Sequence, residues 1–158
     1  MSASKYVVMG VAGSGKTTLA QALADQLGWA FLDADDLHPA ANITKMASGQ
    51  PLTDQDRWPW LNAVAAWIDG HQHCVVACSA LKRSYRGVLG RDGLTFVYLD
   101  VPRDELERRL QARSNHFMPA ELLDSQLSTL EPPTSDEQSI TIDPGPIVDQ
   151  LRLLSERG

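Results

Sequence analysis

Residues 10–17, GVAGSGKT, have the spacing G-x-x-x-x-G-K-[ST]. In that pattern glycines let successive backbone N–H groups turn inward around phosphate oxygens, and a lysine adds a full positive charge. Gly10, Gly13 and Gly15 supply the conformational freedom, and a helix opening after Gly15 would add the partial positive charge of its N-terminus. Lys16 is placed to reach β and γ phosphates, and the Thr17 hydroxyl to ligate Mg²⁺. The nucleotide contacts expected from the loop are Gly10, Val11, Ala12, Gly13, Ser14, Gly15, Lys16, Thr17 and Thr18.

A second stretch with chemical potential is FLDADDLHP, residues 31–39, where Asp33, Asp35 and Asp36 fall within four positions. Carboxylates crowded in this way raise one another's pKa unless a cation gathers them or all face water. Asp33 and Asp35 share one side by strand periodicity, towards Mg²⁺, Lys16 and an acceptor hydroxyl. A carboxylate there can accept the hydroxyl proton and help to hold the metal through water. Asp35 is the expected proton acceptor and a metal-side group, while Asp36 reads equally well as a helix cap.

Basic residues follow the same strand ends. HPAANITKMASGQP reads as a short helix from Pro39 to a stop near Gly49, with Asn42 and Lys45 on neighbouring faces, and Arg57 comes soon after. SALKRSYR carries Lys82, Arg83 and Arg86, with Lys82 and Arg86 spaced i, i+4 on one helical face. The chain has 14 Lys and Arg against 20 Asp and Glu, a net charge of −6, so clustered cations are not a general surface bias. Together they point to a small acidic substrate, although each alone reads equally well as a paired or solvated surface charge. His38 is either a cap or a pocket donor. The net negative charge and the lack of a basic stripe argue against nucleic acid as a partner. Trp58, Trp60 and Trp67 are read as packing anchors, with Trp58 a candidate wall for a substrate. Cys74 and Cys78 are read as buried thiols rather than a disulfide or metal pair.

The elements that must position these groups alternate. Residues 6–9, 30–32, 74–78 and 95–99 are short apolar, β-branched runs typical of strands buried on both faces, and 140–142 make a weaker fifth. Leu19, Leu23 and Leu27, then Leu61, Val64, Ala65 and Ile68, then Leu106 and Leu110 recur at helical spacing. The middle helix opens at TDQDRWP, where Thr53, Asp54 or Asp56 can cap and Pro59 is tolerated if it lies in the first turn. Strands alternating with helices give βαβ units and a mainly parallel sheet. At 158 residues one domain spanning residues 1–158 is expected. The opening MSASKYVVMG is neither a signal peptide nor a membrane span, so a cytoplasmic chain without membrane contact is expected.

Among phosphate-loop proteins, a GTPase needs N-K-x-D, which is absent, and the one D-x-x-G, Asp25 to Gly28, sits at a helix end. A motor ATPase usually ends an apolar strand in Asp. CVVACSALK ends in Ser instead, and Asp100 after TFVYL is explained by the helix that follows Pro102. A small-molecule kinase remains.

DADDLHPAANITKMASGQPLTDQDRWPWL, CSALKRSYR and RSNHFMPAELLDSQLSTLE, with the phosphate loop, resemble the bacterial-type gluconate kinases over nearly the whole chain. The resemblance implies transfer of the ATP γ-phosphate to the 6-hydroxyl of D-gluconate, with ATP and Mg²⁺. It also implies a three-layer αβα fold with a five-stranded parallel sheet in the order 2-3-1-4-5 and a mobile lid. Carried onto this sequence, Lys16 and Thr17 hold phosphates and Mg²⁺, and Asp35 faces the acceptor hydroxyl. Arg57, Lys82 and Arg86 take the carboxylate and hydroxyls, with His38 and Lys45 in the same substrate segment, about 36–62. Arg113 reaches the phosphates from the lid, about 109–122, where Arg109 and Arg113 share a helix face and Arg can bind phosphate bidentately. Ala12 stands where the family commonly has Ser, and Ser114-Asn115 where it often has a glycine before His116. Two other readings stay open: a shikimate or nucleoside monophosphate kinase, and a non-catalytic nucleotide-dependent metabolite sensor. A homodimer is compatible with the sequence and not deducible from it.

Overall fold

The runs YVVM, CVVA and TFVYL are apolar at successive positions because both of their faces are covered. In the computed structural model, which describes residues 3–112 and 120–157, they lie at the centre of one parallel sheet. Its strands are β1 (Lys5–Met9), β2 (Ala30–Asp33), β3 (Cys74–Ala77), β4 (Leu94–Leu99) and β5 (Ser139–Ile142), in the order β2-β3-β1-β4-β5. Val7 pairs with Val76 on one side and Phe96 on the other.

The helices are α1 (Lys16–Leu27), α2 (Ala40–Ala47), α3 (Asp54–Asp69), α4 (Arg83–Leu89), α5 (Arg103–Ala112), α6 (Ala120–Thr129) and α7 (Ile147–Arg157). Strand alternation divides β1 between two cores. Val7 and Met9 pack with Trp60, Leu61, Val64 and Ile68 of α3, whereas Tyr6 and Val8 pack with Leu19 and Leu23 of α1 and Leu154 of α7. Each fully buried side chain of this size contributes about 1.5–3 kcal/mol. A third cluster, Val11, Leu81, Val101, Leu106 and Leu123, joins the phosphate loop to α5 and α6 beyond the strand ends.

Sheet order, strand positions and helix stripes agree with the sequence reading, with three local corrections. Leu27 ends α1 and is 38% exposed, because Gly28, in the left-handed region at φ 70°, closes the helix there. Pro59 lies in the second turn of α3, not the first. The first turn is closed instead by a capping box in which Thr53 accepts from the Asp56 N–H and Asp56 accepts from the Thr53 N–H. Finally, β2 stops at Asp33 and the chain turns into a short 3₁₀ helix, Ala34–Leu37, so strand periodicity does not govern Asp35. Among the described residues no helix is long and apolar enough to cross a membrane.

Candidate active site

The phosphate loop sits between the end of β1 and the start of α1, as its glycines require. Gly13 and Gly15 adopt φ of 84° and 91°, a region that side chains disfavour. A Cβ on Gly10 would come within 2.7 Å of Ser14 Oγ. Ser14 Oγ is buried and has no hydrogen-bond partner among the described residues, and the first turn of α1 holds no acidic residue. An orphaned hydroxyl, open N–H groups and the half-buried Lys16 fit a polyphosphate.

Two later elements grip this loop. Arg109 of α5 donates from Nη1 to the Gly13 and Ser14 carbonyls, each at 3.1 Å. Gln126 of α6 accepts from the Ala12 N–H at 2.7 Å. Arg109, which the sequence placed on one helix face with Arg113, therefore holds the loop by its carbonyls. Gln126 carried no signal in the sequence, since a lone glutamine within a helical stripe looks like any solvated residue.

The carboxylates are arranged by the 3₁₀ turn. Asp33 caps it, with Oδ1 accepting from the Asp35 N–H at 3.0 Å, and its Oδ2 lies 3.5 Å from Thr17 Oγ1. Asp33 is thus the carboxylate nearest the hydroxyl expected to ligate Mg²⁺. Asp35 instead lines a cleft of about 220 Å³ together with Lys16, His38, Arg57, Ser79 and Gln126, with Met46, Pro51, Leu52, Trp60 and Leu81 as apolar walls. The structure brings Lys16, Asp35, His38 and Arg57 together, as the sequence reading required. It does so through a turn, not through an extended strand.

Arg57 enters the cleft from the first turns of α3. Its Nη1 donates to the Leu52 carbonyl at 2.8 Å and the Tyr85 hydroxyl at 2.9 Å, and its guanidinium lies 5.2 Å from the Tyr85 ring centroid. Its Nε and Nη2 make no hydrogen bond among the described residues, which leaves a fork suited to a carboxylate. The Tyr85 hydroxyl donates in turn to Asp54, and burial, ahead of the Asp54 contact, pushes its pKa up.

His38 is buried against Trp60, with ring centroids 4.1 Å apart and an interplanar angle of 15°. Desolvation lowers its pKa, outweighing the opposing effect of Asp35. Trp60 is therefore both a core residue and part of the cleft wall, whereas Trp58 packs edge-on against Tyr85.

The other basic candidates lie outside the lining. Lys45 donates to Asp56 at 2.7 Å and joins α2 to α3. Lys82 pairs with Asp54 at 3.0 Å. Arg86 is 2% exposed, and all five of its N–H groups are engaged. Nε and Nη2 bind the Glu137 carboxylate, Nη1 binds the Ala80 and Leu81 carbonyls, and Nη2 also binds the Glu131 carbonyl. Arg86 thereby fixes the turn after β3, where Ala80 adopts φ 45°, and ties down the segment before β5. The sequence assigned it to substrate because i, i+4 spacing shows a shared face but not a partner 51 residues away.

Arg113 and His116 lie outside the described residues, as does the middle of the expected lid, residues 113–119. Cys74 and Cys78 are free and buried. Burial pushes the Cys78 thiol up to about 12, so it has no thiolate with which to react.

Comparisons with known proteins agree with this arrangement. A family model described as an AAA domain matches residues 6–133. A gluconokinase of Gluconobacter oxydans is 54% identical over 143 residues, covering 86% of this chain and 80% of the relative. The crystal structure of a gluconokinase from Sinorhizobium meliloti superimposes with a TM-score of 0.88 at 44% identity, covering 95% of this chain and 88% of that one. A shikimate kinase from Bacteroides thetaiotaomicron superimposes with a TM-score of 0.71 at 20% identity over 97% of each chain, which is likeness of fold alone.

Proposed function

Because the chain belongs to the gluconokinase family of phosphate-loop kinases, we propose that it transfers the γ-phosphate of ATP to the 6-hydroxyl of D-gluconate, giving ADP and 6-phospho-D-gluconate. The observation that carries this reading is the convergence of Lys16, Asp35 and the open fork of Arg57 on one cleft.

Each group has a separable task. The loop N–H groups other than those of Ala12 and Ser14, which Gln126 and the Val11 carbonyl engage, bind the phosphates with Lys16 and offset charge on the oxygens of the transferred group. Arg57 takes the gluconate carboxylate through Nε and Nη2, which orients the chain of hydroxyls so that the 6-hydroxyl lies beside Asp35. Asp35 accepts the hydroxyl proton as that oxygen bonds to the γ phosphorus and the bond from phosphorus to the β–γ bridging oxygen breaks. Thr17 would hold Mg²⁺ directly, with Asp33 and Asp35 holding it through water. The ion would supply positive charge that stabilises the phosphate oxygens. Met46, Pro51, Leu52 and Trp60 exclude water from one side of the cleft, which disfavours hydrolysis of ATP. In this reading Lys45, Lys82 and Arg86 shape the cleft from behind, and Arg113 in the lid about 109–122 completes the phosphate site. ATP as co-substrate and a cytoplasmic location are part of the same reading.

ADP release measured across gluconate, shikimate, AMP and a polyol panel, with identification of the phosphorylated product, tests the proposal. Gluconate should turn over far faster than the others and yield the 6-phosphate. Shikimate turning over as efficiently as gluconate, or tight gluconate binding without ADP formation, would overturn it.

A further inference from the structure

Behind the cleft lies a chain of hydrogen-bonding groups that the transfer mechanism does not itself use. Asn42 of α2 is 5% exposed. Its Nδ2 donates to the Asp56 backbone carbonyl at 2.9 Å and lies 3.2 Å from His38 Nδ1. A carbonyl can only accept, so the amide nitrogen, not the amide oxygen, must face Asp56 and with it His38. An amide N–H₂ cannot accept, so His38 Nδ1 must. An imidazolium, or a ring with its proton on Nδ1, would set donor against donor.

The proton of His38 is therefore on Nε2, which lies 3.8 Å from Asp35 Oδ1. The ring has little freedom to turn away. It is stacked on Trp60, whose Nε1 donates to the Ala34 carbonyl at 2.7 Å, and the His38 N–H bonds back to the Asp35 carbonyl at 3.2 Å. Trp60 thus pins both the histidine ring and the 3₁₀ turn that carries Asp35.

We propose that His38 is a positioning residue for the proton acceptor: Asn42 fixes the ring with its proton on Nε2, and that N–H holds the Asp35 carboxylate in its working orientation. The inference rests on the reading of Asp35 given above. At 3.8 Å the contact is longer than a hydrogen bond, and the Asp35 side chain is 65% exposed, so a small side-chain rotation closes it. Catalytic hydrogen bonds commonly tighten in this way once substrate is bound. With Oδ1 held by His38, Oδ2 is left to face the acceptor hydroxyl. A carboxylate free to rotate would present neither oxygen reliably, and misplacement on the scale of 1 Å costs rate, not affinity.

Glutamine and asparagine at position 38 separate a positioning N–H from mere bulk. The amide nitrogen of Gln reaches roughly the place of Nε2, that of Asn the place of Nδ1. We expect His38→Asn to lower kcat about 10-fold with the gluconate KM within about 2-fold of wild type, and His38→Gln to recover kcat to within about 3-fold. Ring ¹⁵N shifts of wild-type protein, which distinguish a protonated from an unprotonated nitrogen, should place the proton on Nε2. Equal loss in both variants, a loss confined to gluconate KM, or a proton on Nδ1 would overturn the proposal. The ring measurement needs no variant, so misfolding of either one leaves that test intact. Failure of the underlying reading looks different: Asp35→Asn would keep full turnover while the ring proton stayed on Nε2, and the N–H would then have no acceptor to position.

Discussion

Two arginines approach the same end of the sheet and are engaged to different degrees. Arg86 leaves the first turn of α4 and has every N–H occupied by Glu137 and three backbone carbonyls. Arg57 leaves the first turns of α3 with only Nη1 occupied among the described residues. Sequence spacing does not separate them, and neither does residue type. What separates them is the count of unengaged donors facing the cleft. A matching count of unengaged acceptors separates Asp35, whose carboxylate accepts no hydrogen bond among the described residues, from Asp54 and Asp56, which neighbouring cations hold.

The comparison breaks most visibly at Arg86. Removing it leaves the Glu137 carboxylate, only 11% exposed, without its cationic partner and with Thr134 alone donating to it among the described residues. Arg86→Met should therefore cost about 3–5 kcal/mol of stability. Arg57→Met should cost about 1 kcal/mol, the worth of the hydrogen bonds it loses. Urea unfolding of the two variants checks this, and equal losses would contradict the assignment of Arg86 as a strut.

Asp35→Asn should have the next largest effect. It keeps shape but removes the proton acceptor, so turnover should fall roughly 10²-fold or more while nucleotide affinity holds. Steady-state kinetics with nucleotide titration decide it. Near-normal turnover would return Asp35 to a capping role.

The smallest expected effect concerns the pairing of α2 with α3. The Lys45 ammonium, then the Thr53 N–H, pulls the Asp56 carboxyl from 3.8 down to about 2. The folded pKa lies below the unfolded one, so the stability it brings is complete above 3.8 and is lost as the pH falls towards about 2. Urea midpoints followed through that window should fall more steeply for wild type than for Asp56→Asn. Parallel curves would show that the pair contributes nothing measurable, as is common for exposed ion pairs.

Much of this was legible in the sequence where the physics is local. The glycine spacing of residues 10–15 fixes the phosphate loop because few other residues tolerate φ near 90°. Runs such as CVVAC report strands covered on both faces, and with helices between them they give a mainly parallel sheet, whose order comes only from the family resemblance. Asp35 lines the cleft but not by strand periodicity, since the chain leaves the strand at Asp33 and a 3₁₀ turn does the aiming. What stayed hidden was long-range pairing. Nothing in SALKRSYR reveals that Glu137 and the carbonyl of Glu131 will engage Arg86, and nothing near Gln126 reveals that it meets the Ala12 N–H. Such contacts depend on how separate elements meet, which periodicity does not encode.

The most direct test of the account is the ratio of kcat/KM for gluconate to that for glucitol, the same carbon chain with a hydroxymethyl group in place of the carboxylate. Measured in wild type, Arg57→Met and the folded fraction of Arg86→Met, it isolates recognition of the carboxylate from stability. A bidentate charge-assisted contact should favour gluconate by roughly 10- to 100-fold. The account predicts that Arg57→Met removes most of that preference and Arg86→Met leaves it intact. A ratio unchanged in Arg57→Met, or abolished in Arg86→Met, would contradict it.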